Sequence, residues 1–431
     1  MNVKLHDPQN EPDFSAFIGM DWGDKSHAIA LYDPHSKQTE TSTVVQSAEK
    51  LHAWLDQLEA RFGGKPVALA IEGTRGAVFP VLLGRPWLHV FSVHPATSSR
   101  FRTAFAPSGA KDDEPDALVL LKILRCHRDQ LRVLSLDDLE TRLVGGLCEA
   151  RRAAVDQRTQ LCNQLTACLK KYYPQALELI GEHLDSPMAL DLLEQWPDLL
   201  ALKKARPATL TKFFYDHNVR SPKVVEARLK LIENARLLTA DPVILSISVS
   251  QMRLFVAQLQ VVQEHIERFD SQIAAAFKAH PDAALFSQLP GAGKVLAPRL
   301  LAAFGADRER FPTPESLQKY AGLAPVLEKS GGSIWIHWRW HAPTFLRQTF
   351  VEWAGQTVVY CPWAKAYYKT MKAKGKTHWV ILRALAFKWI RILWKCWQER
   401  TPYKDELYQK QLEKRNSPLA KILSEKPPIP T

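Results

Sequence analysis

The sequence predicts an α/β domain followed by an all-α remainder, in which a long helical arm precedes a mostly helical, basic C-terminal region. Three observations predict this. Short apolar runs alternate with helical spacings up to about residue 94, leucines recur at heptad-like intervals from residue 135, and tryptophan and lysine accumulate after residue 283. In the first region "AFIGMDWG" and "HAIALYDP" read as a strand hairpin, with "ETSTVVQ" as a third strand. "AEKLHAWLDQLEARFGG" (48–64) places Leu51, Trp54, Leu55 and Leu58 on one helix face and closes on glycines. "PVALAIEG" (66–73) is a continuous apolar run, as in a strand buried on both faces, and "WLHVFSVHP" (87–95) is a further strand stopped by Pro95. From Pro115, "PDALVLLKILRCHRDQ" starts a helix with proline in its first turn. These elements together make a mixed sheet covered by helices.

"SLDDLETRLVGGLCEARRAAVDQRTQLCNQLTACLKKYY" (135–173) is a long helical pattern with Ser135 as its cap. Leu139, Leu143, Leu147, Leu161, Leu165 and Leu169 mark one face, with Arg151, Arg152, Arg158, Lys170 and Lys171 between them. The pattern lapses at Gly145–Gly146, against a single unbroken coiled coil. A less regular basic stretch (202–236) leads to a second long helix at 251–280. The two long helices suit an antiparallel arm for self-association, and its arginines either form a solvated face or touch nucleic acid.

Beyond Ala283 the chain becomes rich in Trp and basic residues. Between residues 364 and 400 there are ten Lys or Arg against one acid, Glu399, interleaved with Tyr367, Tyr368, Trp379, Trp389, Trp394 and Trp397. Such a surface neutralises phosphates and offers stacking faces. Leu385, Trp389, Ile392 and Leu393 have the spacing of a helix core, so the lysines at 372, 374 and 376 (Lys372, Lys374, Lys376) are the expected phosphate contacts. The tail "EKPPIPT" reads as disordered. The expected divisions are 1–130, 131–280, 281–400 and a tail at 401–431.

Charge narrows the partner. Lys and Arg number 57 against 45 Asp and Glu, a net +12, which suits a polyanion. No apolar run approaches the roughly 20 residues that span a bilayer, and "MNVKLHDPQNEPDF" is too polar for a signal peptide, so nucleic acid rather than membrane is expected. Six cysteines without a Cys-x-x-Cys pair signal neither a zinc site nor a disulfide framework. The expectation is a reduced, cytoplasmic protein.

The chemistry lies in the acids. Asp21 ends the first strand, Glu72 ends "ALAIEG", and Asp113 and Asp116 stand three apart at a helix start in "AKDDEPDALVLL". Strands ending at one sheet edge bring Asp21 and Glu72 together, and the helix pair completes a cluster of four. Carboxylates at that range repel unless a cation lies between them, and Mg²⁺ prefers such oxygens. A pair of ions there suits phosphoryl transfer. Taken singly, Asp113 and Asp116 suit a helix N-terminus through its dipole, and Glu72 suits a turn cap. Together, in this order of elements, they indicate an RNase H-like domain. The actin and sugar-kinase hairpin is disfavoured, because "DWGD" puts Asp24 where that turn needs Ser or Thr, and no second phosphate loop follows.

Two later features invite chemistry. "LPGAGKVLAPRLLAAFG" is not a Walker phosphate loop, since Lys294 has the wrong spacing and precedes Val295. It fits a helix-hairpin-helix-like turn whose backbone N–H groups at Gly291, Gly293 and Lys294 face a phosphate, or equally a plain glycine turn. Ser330 lies in a Lys-Ser-Gly-Gly turn with no local base, so the residues alone read it as a turn serine.

The ensemble resembles the DEDD-type insertion-sequence transposases of the IS110 family. "DWGDKSHA", "AIEGTRG", "AKDDEPDA", "LPGAGKVLAPRLLAAFG", "RFPTPESLQKYAGLAPVLEKSGG" and "FLRQTFVEWA" carry the resemblance by their order and spacing. It implies a RuvC-like first domain with Asp21, Glu72, Asp113 and Asp116 as a metal tetrad. In the Lys-x-Asp-x-x-Asp-Ala motif Lys111, Asp113, Asp116 and Ala117 match, leaving Asp112 and Glu114 as spare acids. It also implies a C-terminal serine, matching Ser330, that attacks DNA to form a phosphoserine intermediate. Ser333 is the neighbouring alternative. The Gly-Asn that precedes Leu-Arg in many relatives is replaced in "HAPTFLRQ", although Leu346 and Arg347 are retained, with Arg347 a candidate nucleic-acid contact.

The resemblance further implies a homo-oligomer, a dimer or a dimer of dimers through a coiled-coil arm, with the acids of one subunit meeting the serine of another. Donor and target DNA, and a guide RNA encoded beside the gene, would be its partners. The expected activity is therefore a Mg²⁺-dependent DNA recombinase. The alternatives are a RuvC-like junction endonuclease, for which Ser330 is dispensable, and a catalytically silent nucleic-acid-binding protein, for which Asp21 and Glu72 are dispensable.

Overall fold

Alternation of large and small side chains builds the sheet that carries the acids. The computed structural model describes residues 2–5, 12–74, 76–105, 116–340 and 342–424. Strands β1 (Asn2–Leu5), β2 (Ala16–Trp22), β3 (Ser26–Asp33), β4 (Gln38–Val45), β5 (Val67–Glu72), β6 (Leu88–Val93) and β7 (Arg132–Ser135) form one mixed sheet in the order β1-β7-β6-β5-β2-β3-β4. β2, β5 and β6 run parallel, and the outer strands are antiparallel. The three-strand start and the two later strands match the sequence reading. The four-residue β1 and β7 were not foreseen; each is shorter than a periodic signal needs, and they pair with each other across the length of the domain.

Ile18, Met20, Leu69 and Ile71 turn to one face and pack with Leu51, Leu55 and Leu58 of α1 (Ala48–Phe62) and with α2 (Phe79–Leu83). Gly19, Ala28, Ala30, Ala68 and Ala70 turn to the other, by the two-residue period of a strand. That shallow face receives α4 (Asp116–His127), while α3 (Pro95–Phe105) follows β6. Gly19 sets the approach, since a Cβ there would overlap the Ala117 carbonyl and come within 2.5 Å of the Leu121 nitrogen. Gly19→Ala is therefore expected to cost about 3 kcal/mol by overpacking, read as a lower urea midpoint at unchanged slope. An unchanged midpoint would show that α4 is free to move.

The chain divides into two compact units, Met1–Arg142 with Ala284–Thr431, and Leu143–Ala283. The second unit contains most of α5 (Leu139–Tyr172), the short helices α6 (Pro174–Ile180), α7 (Pro187–Gln195), α8 (Leu199–Lys204), α9 (Pro207–Asp216) and α10 (Pro222–Asn234), and α11 (Pro242–Ala279). Its core joins Leu161, Leu165 and Leu169 to Met252, Val256 and Leu259.

Several expectations change here. Ser135 is the last residue of β7, and Asp138 caps α5 by accepting from the Thr141 N–H at 2.7 Å. α5 runs unbroken through Gly145–Gly146, because the cost of helical glycine, about 1 kcal/mol each, is met by packing on either side. Its leucine face is split: Leu161, Leu165 and Leu169 are buried, whereas Leu139 and Leu143 are exposed and Val144 and Cys148 are buried instead. α11 starts at Pro242, capped by Asp241. By length and composition α11 would be long enough and apolar enough to cross a bilayer, which the sequence reading had not seen. Its buried residues Met252, Val256, Leu259, Val262 and Ile266 follow a helical stripe, the pattern of a helix packed in protein.

In the first unit the C-terminal region contributes α12 (Ala283–Ser287), α13 (Gly293–Phe304), α14 (Pro314–Tyr320), the hairpin β8 (Val326–Ser330) and β9 (Ser333–His337), then α15 (Thr344–Tyr360), α16 (Pro362–Ala373) and α17 (His378–Gln398). Trp353, Trp363, Trp389 and Trp397 are fully buried among these helices. The tail "EKPPIPT" lies outside the described residues.

Candidate active site

β2 and β5 end at the same sheet edge. They are parallel with Met20 opposite Ile71, so Asp21 and Glu72 follow as the next pair. Both belong to the shallow face, because Asp21 is two residues beyond Gly19 and Glu72 two beyond Ala70. α4 lies on that face, and its first residue is Asp116. Three of the four predicted acids are thus gathered. Asp113 lies outside the described residues, with Lys111, Asp112 and Glu114.

The electrostatics of Asp21 report this gathering. Its pKa is raised, chiefly by burial and then by the charges of Asp116 and Glu72, while Arg102 and His27 pull the other way. Such a carboxylate is held in an environment that disfavours its charge unless a cation is supplied. The set is all oxygen, which fits a hard divalent cation. Among the described residues no group of three or more carboxylates, histidines or cysteines is arranged to hold a metal ion, and Asp113 is not among them.

Two side chains hold the acids, and sequence reasoning missed both. The Ser98 hydroxyl donates to Glu72 Oε1 and Arg102 donates to Asp116 Oδ1. Ser98 and Arg102 stand four apart on α3, one turn of a helix whose start at Pro95 had been read only as the end of a strand. Trp22 donates from Nε1 to the Glu72 carbonyl at 3.2 Å, fixing the strand end.

Ser330 closes β8, opposite Ser333, across the Gly331–Gly332 turn. Gly331 has φ 56°, the left-handed conformation a two-residue hairpin turn requires. The hairpin is exposed, including Leu327, Ile334, Trp335 and Ile336. His337 and Glu328 pair on it at 2.8 Å, which raises the His337 pKa. No hydrogen bond or ion pair joins Ser330 to Asp21, Glu72 or Asp116 among the described residues.

The candidate nucleic-acid contacts differ in their engagement. Arg151 makes two hydrogen bonds to Asp270 (2.6 and 3.1 Å), Arg152 pairs with Asp156 at 3.1 Å, and Arg158 pairs with Asp185 at 3.1 Å. Gly291 serves packing, because a Cβ would meet Gln356 at 2.8 Å, whereas Gly293 and Lys294 are exposed at the start of α13. Residues 372–380 form a continuous exposed run containing Lys372, Lys374 and Lys376. Of the interleaved aromatics Trp389 and Trp397 are core, Trp394 donates to the Phe311 carbonyl, and Trp379 is 62% exposed.

Comparison with known proteins agrees with this picture. Residues 18–174 match the DEDD transposase model of the IS110 family, and residues 283–369 match the transposase model of the IS116/IS110/IS902 family. The protein assigned as the mini-circle transposase for IS117 in Streptomyces coelicolor is 27% identical, covering 92% of this chain and 97% of that protein. An uncharacterized 43.6 kDa protein of insertion element IS110 from the same organism is 27% identical with the same coverage. The pilin gene-inverting protein of Moraxella bovis is 27% identical over 34% of this chain and 47% of its own length. With the two models falling on the carboxylate-bearing and serine-bearing regions in turn, the chain belongs to the IS110 family of DEDD transposases.

Proposed function

We propose that the protein is a DNA transposase that mobilises an insertion element by cleaving and rejoining strands through a serine–DNA intermediate. The convergence of Asp21, Glu72 and Asp116 on one face of the sheet edge carries this reading. We read the sheet as RNase H-like, in the RuvC-like manner, with Asp113 as the fourth acid. Divalent ions, Mg²⁺ by donor chemistry, would be held by these acids and would stabilise charge on the reacting phosphodiester. Ser98 and Arg102 hold Glu72 and Asp116 in place until the ions and the strand arrive.

Ser330 Oγ attacks phosphorus, forming an O–P bond as the bond to one DNA oxygen breaks. The serine proton leaves to solvent or a nearby base, and the departing DNA oxygen takes up a proton. One ester replaces another, so the bond is kept for rejoining. The exposed hairpin suits delivery of Ser330 to the acids of a second subunit. The expected test is a denaturing gel of protein, element DNA, candidate flanking RNA and Mg²⁺. A protein–DNA adduct supports the reading, and cleaved DNA without any adduct would replace it by hydrolysis.

The arm would supply the oligomer. Val243, Ile247, Leu254 and Val261 are exposed on α11 at spacings of four and seven residues, which would suit a coiled-coil seam. Leu254→Glu with Val261→Glu is expected to reduce the sedimentation coefficient to that of a monomer. An unchanged coefficient would place the interface elsewhere. The net charge of +12 and the Lys372–Lys376 run favour a nucleic-acid ligand beyond the cleaved strand, for which a guide RNA is the candidate.

A further inference from the structure

In the C-terminal region Arg347 and Arg383 lie near enough for their charges to repel, and Arg347 reaches the backbone of Arg339. Arg347 Nη1 lies 3.4 Å from the Arg339 carbonyl, and the Arg383 guanidinium stacks 3.6 Å from the centre of the Trp338 ring. The Nε atoms of Arg339 and Arg383 are buried without a hydrogen-bond partner. No ion pair joins Arg339, Arg347 or Arg383 to an acid among the described residues. Gly322, whose φ is 69°, borders them: a Cβ there would lie in ordinary contact, 3.7 Å from both the Arg339 carbonyl and Arg347 Cδ.

Gathering like charge is costly. Burial first, and then the charge of Arg347, lower the Arg383 pKa, so the free protein carries an unrelieved repulsion that an anion would remove. Arginine is suited to this task, since its planar fork matches phosphate oxygens and its face stacks on aromatic rings.

The cluster adjoins a cleft of about 890 Å³, with Arg339 in its wall. Arg132 and Lys319 also line the cleft, and among the described residues no carboxylate lines it. Gly73, next to Glu72 in the chain, also lines it. We propose that Arg339, Arg347 and Arg383 form a phosphate-binding site for a nucleic-acid strand lying in this cleft. The proposal rests on the nucleic-acid reading above, but its first test does not depend on cleavage, metal or Ser330.

The test compares wild type with Arg383→Met, which keeps an unbranched apolar side chain beside Trp338 and removes the charge. Thermal unfolding is followed with pyrophosphate and with chloride at matched ionic strength. The expected result is a wild-type Tm raised by pyrophosphate beyond the chloride control, as binding to the native state demands. Arg383→Met should lose that response and be no less stable in chloride. Binding of a labelled oligonucleotide should then weaken about tenfold across sequences, with a salt slope lower by about 1. A variant less stable in chloride, in a wild type without anion response, would make the cluster a structural feature and overturn the proposal. An anion response with unchanged oligonucleotide affinity would assign the site to a free phosphate and overturn the strand. If Arg383→Met fails to fold, Arg347→Gln is read in the same way.

Discussion

Asp21→Asn is expected to abolish DNA cleavage while making the metal-free protein more stable. The loss follows from its place at the centre of the acid group, between Glu72 and Asp116. Removing one cation ligand at a reacting phosphate costs roughly 4 kcal/mol of barrier, or about 10³ in rate. The gain follows from the raised pKa of Asp21. An acid whose folded pKa is raised binds its proton more tightly in the native state. Ionisation therefore takes stability away as pH rises from the unfolded value, 3.8, through the folded one. Above that window wild type carries the penalty and the asparagine variant does not. Urea unfolding at pH 4 and pH 7 without divalent metal should show the two proteins diverging at pH 7, with the variant the more stable. A variant equally active, or less stable at pH 7, would remove Asp21 from the proposed centre.

Ser330→Ala is expected to eliminate the covalent protein–DNA adduct and strand joining without a change in fold. The hydroxyl belongs to an exposed hairpin and makes no hydrogen bond among the described residues, so its removal leaves no buried group unsatisfied. Its unfolding midpoint should stay within error of wild type. The exposed hydroxyl accounts for the spared stability, and the proposed role as nucleophile predicts the loss of joining. Ser333, opposite it in register, is the control: Ser333→Ala should keep the adduct. An adduct that survives Ser330→Ala and disappears in Ser333→Ala would move the nucleophile across the hairpin.

Much of this was legible in the sequence, and the reasons differ by element. Asp21 and Glu72 could be placed because each is a carboxylate at the end of an apolar strand, where a strand period forces it to one face. Asp116 could be placed as a helix start. Ser98 and Arg102 were not legible, because α3 has a weak apolar pattern and its partners, Glu72 and Asp116, come from other elements. Ser135 reads as a cap in "SLDD", but its pairing with Asn2 on the remote β1 puts it in a strand, and Asp138 caps the helix instead. The leucine stripe of α5 was read as one face, yet tertiary packing took only its second half. The acidic partners of the arm's arginines, Asp270, Asp156 and Asp185, emerge only in the folded chain. Arg339 and Arg383 carry no local signal, and only the fold brings them to Arg347.

The central claim is that the acids of one subunit act with the serine of another, and mixing two inactive variants tests it most directly. Asp21→Asn retains Ser330, and Ser330→Ala retains the acids. Each alone should give no adduct on a denaturing gel with element DNA, candidate flanking RNA and Mg²⁺. Their mixture, after subunit exchange, should restore an adduct that contains only the Asp21→Asn chain. Wild type forming the adduct while the mixture forms none would contradict the account and place acids and serine in the same subunit.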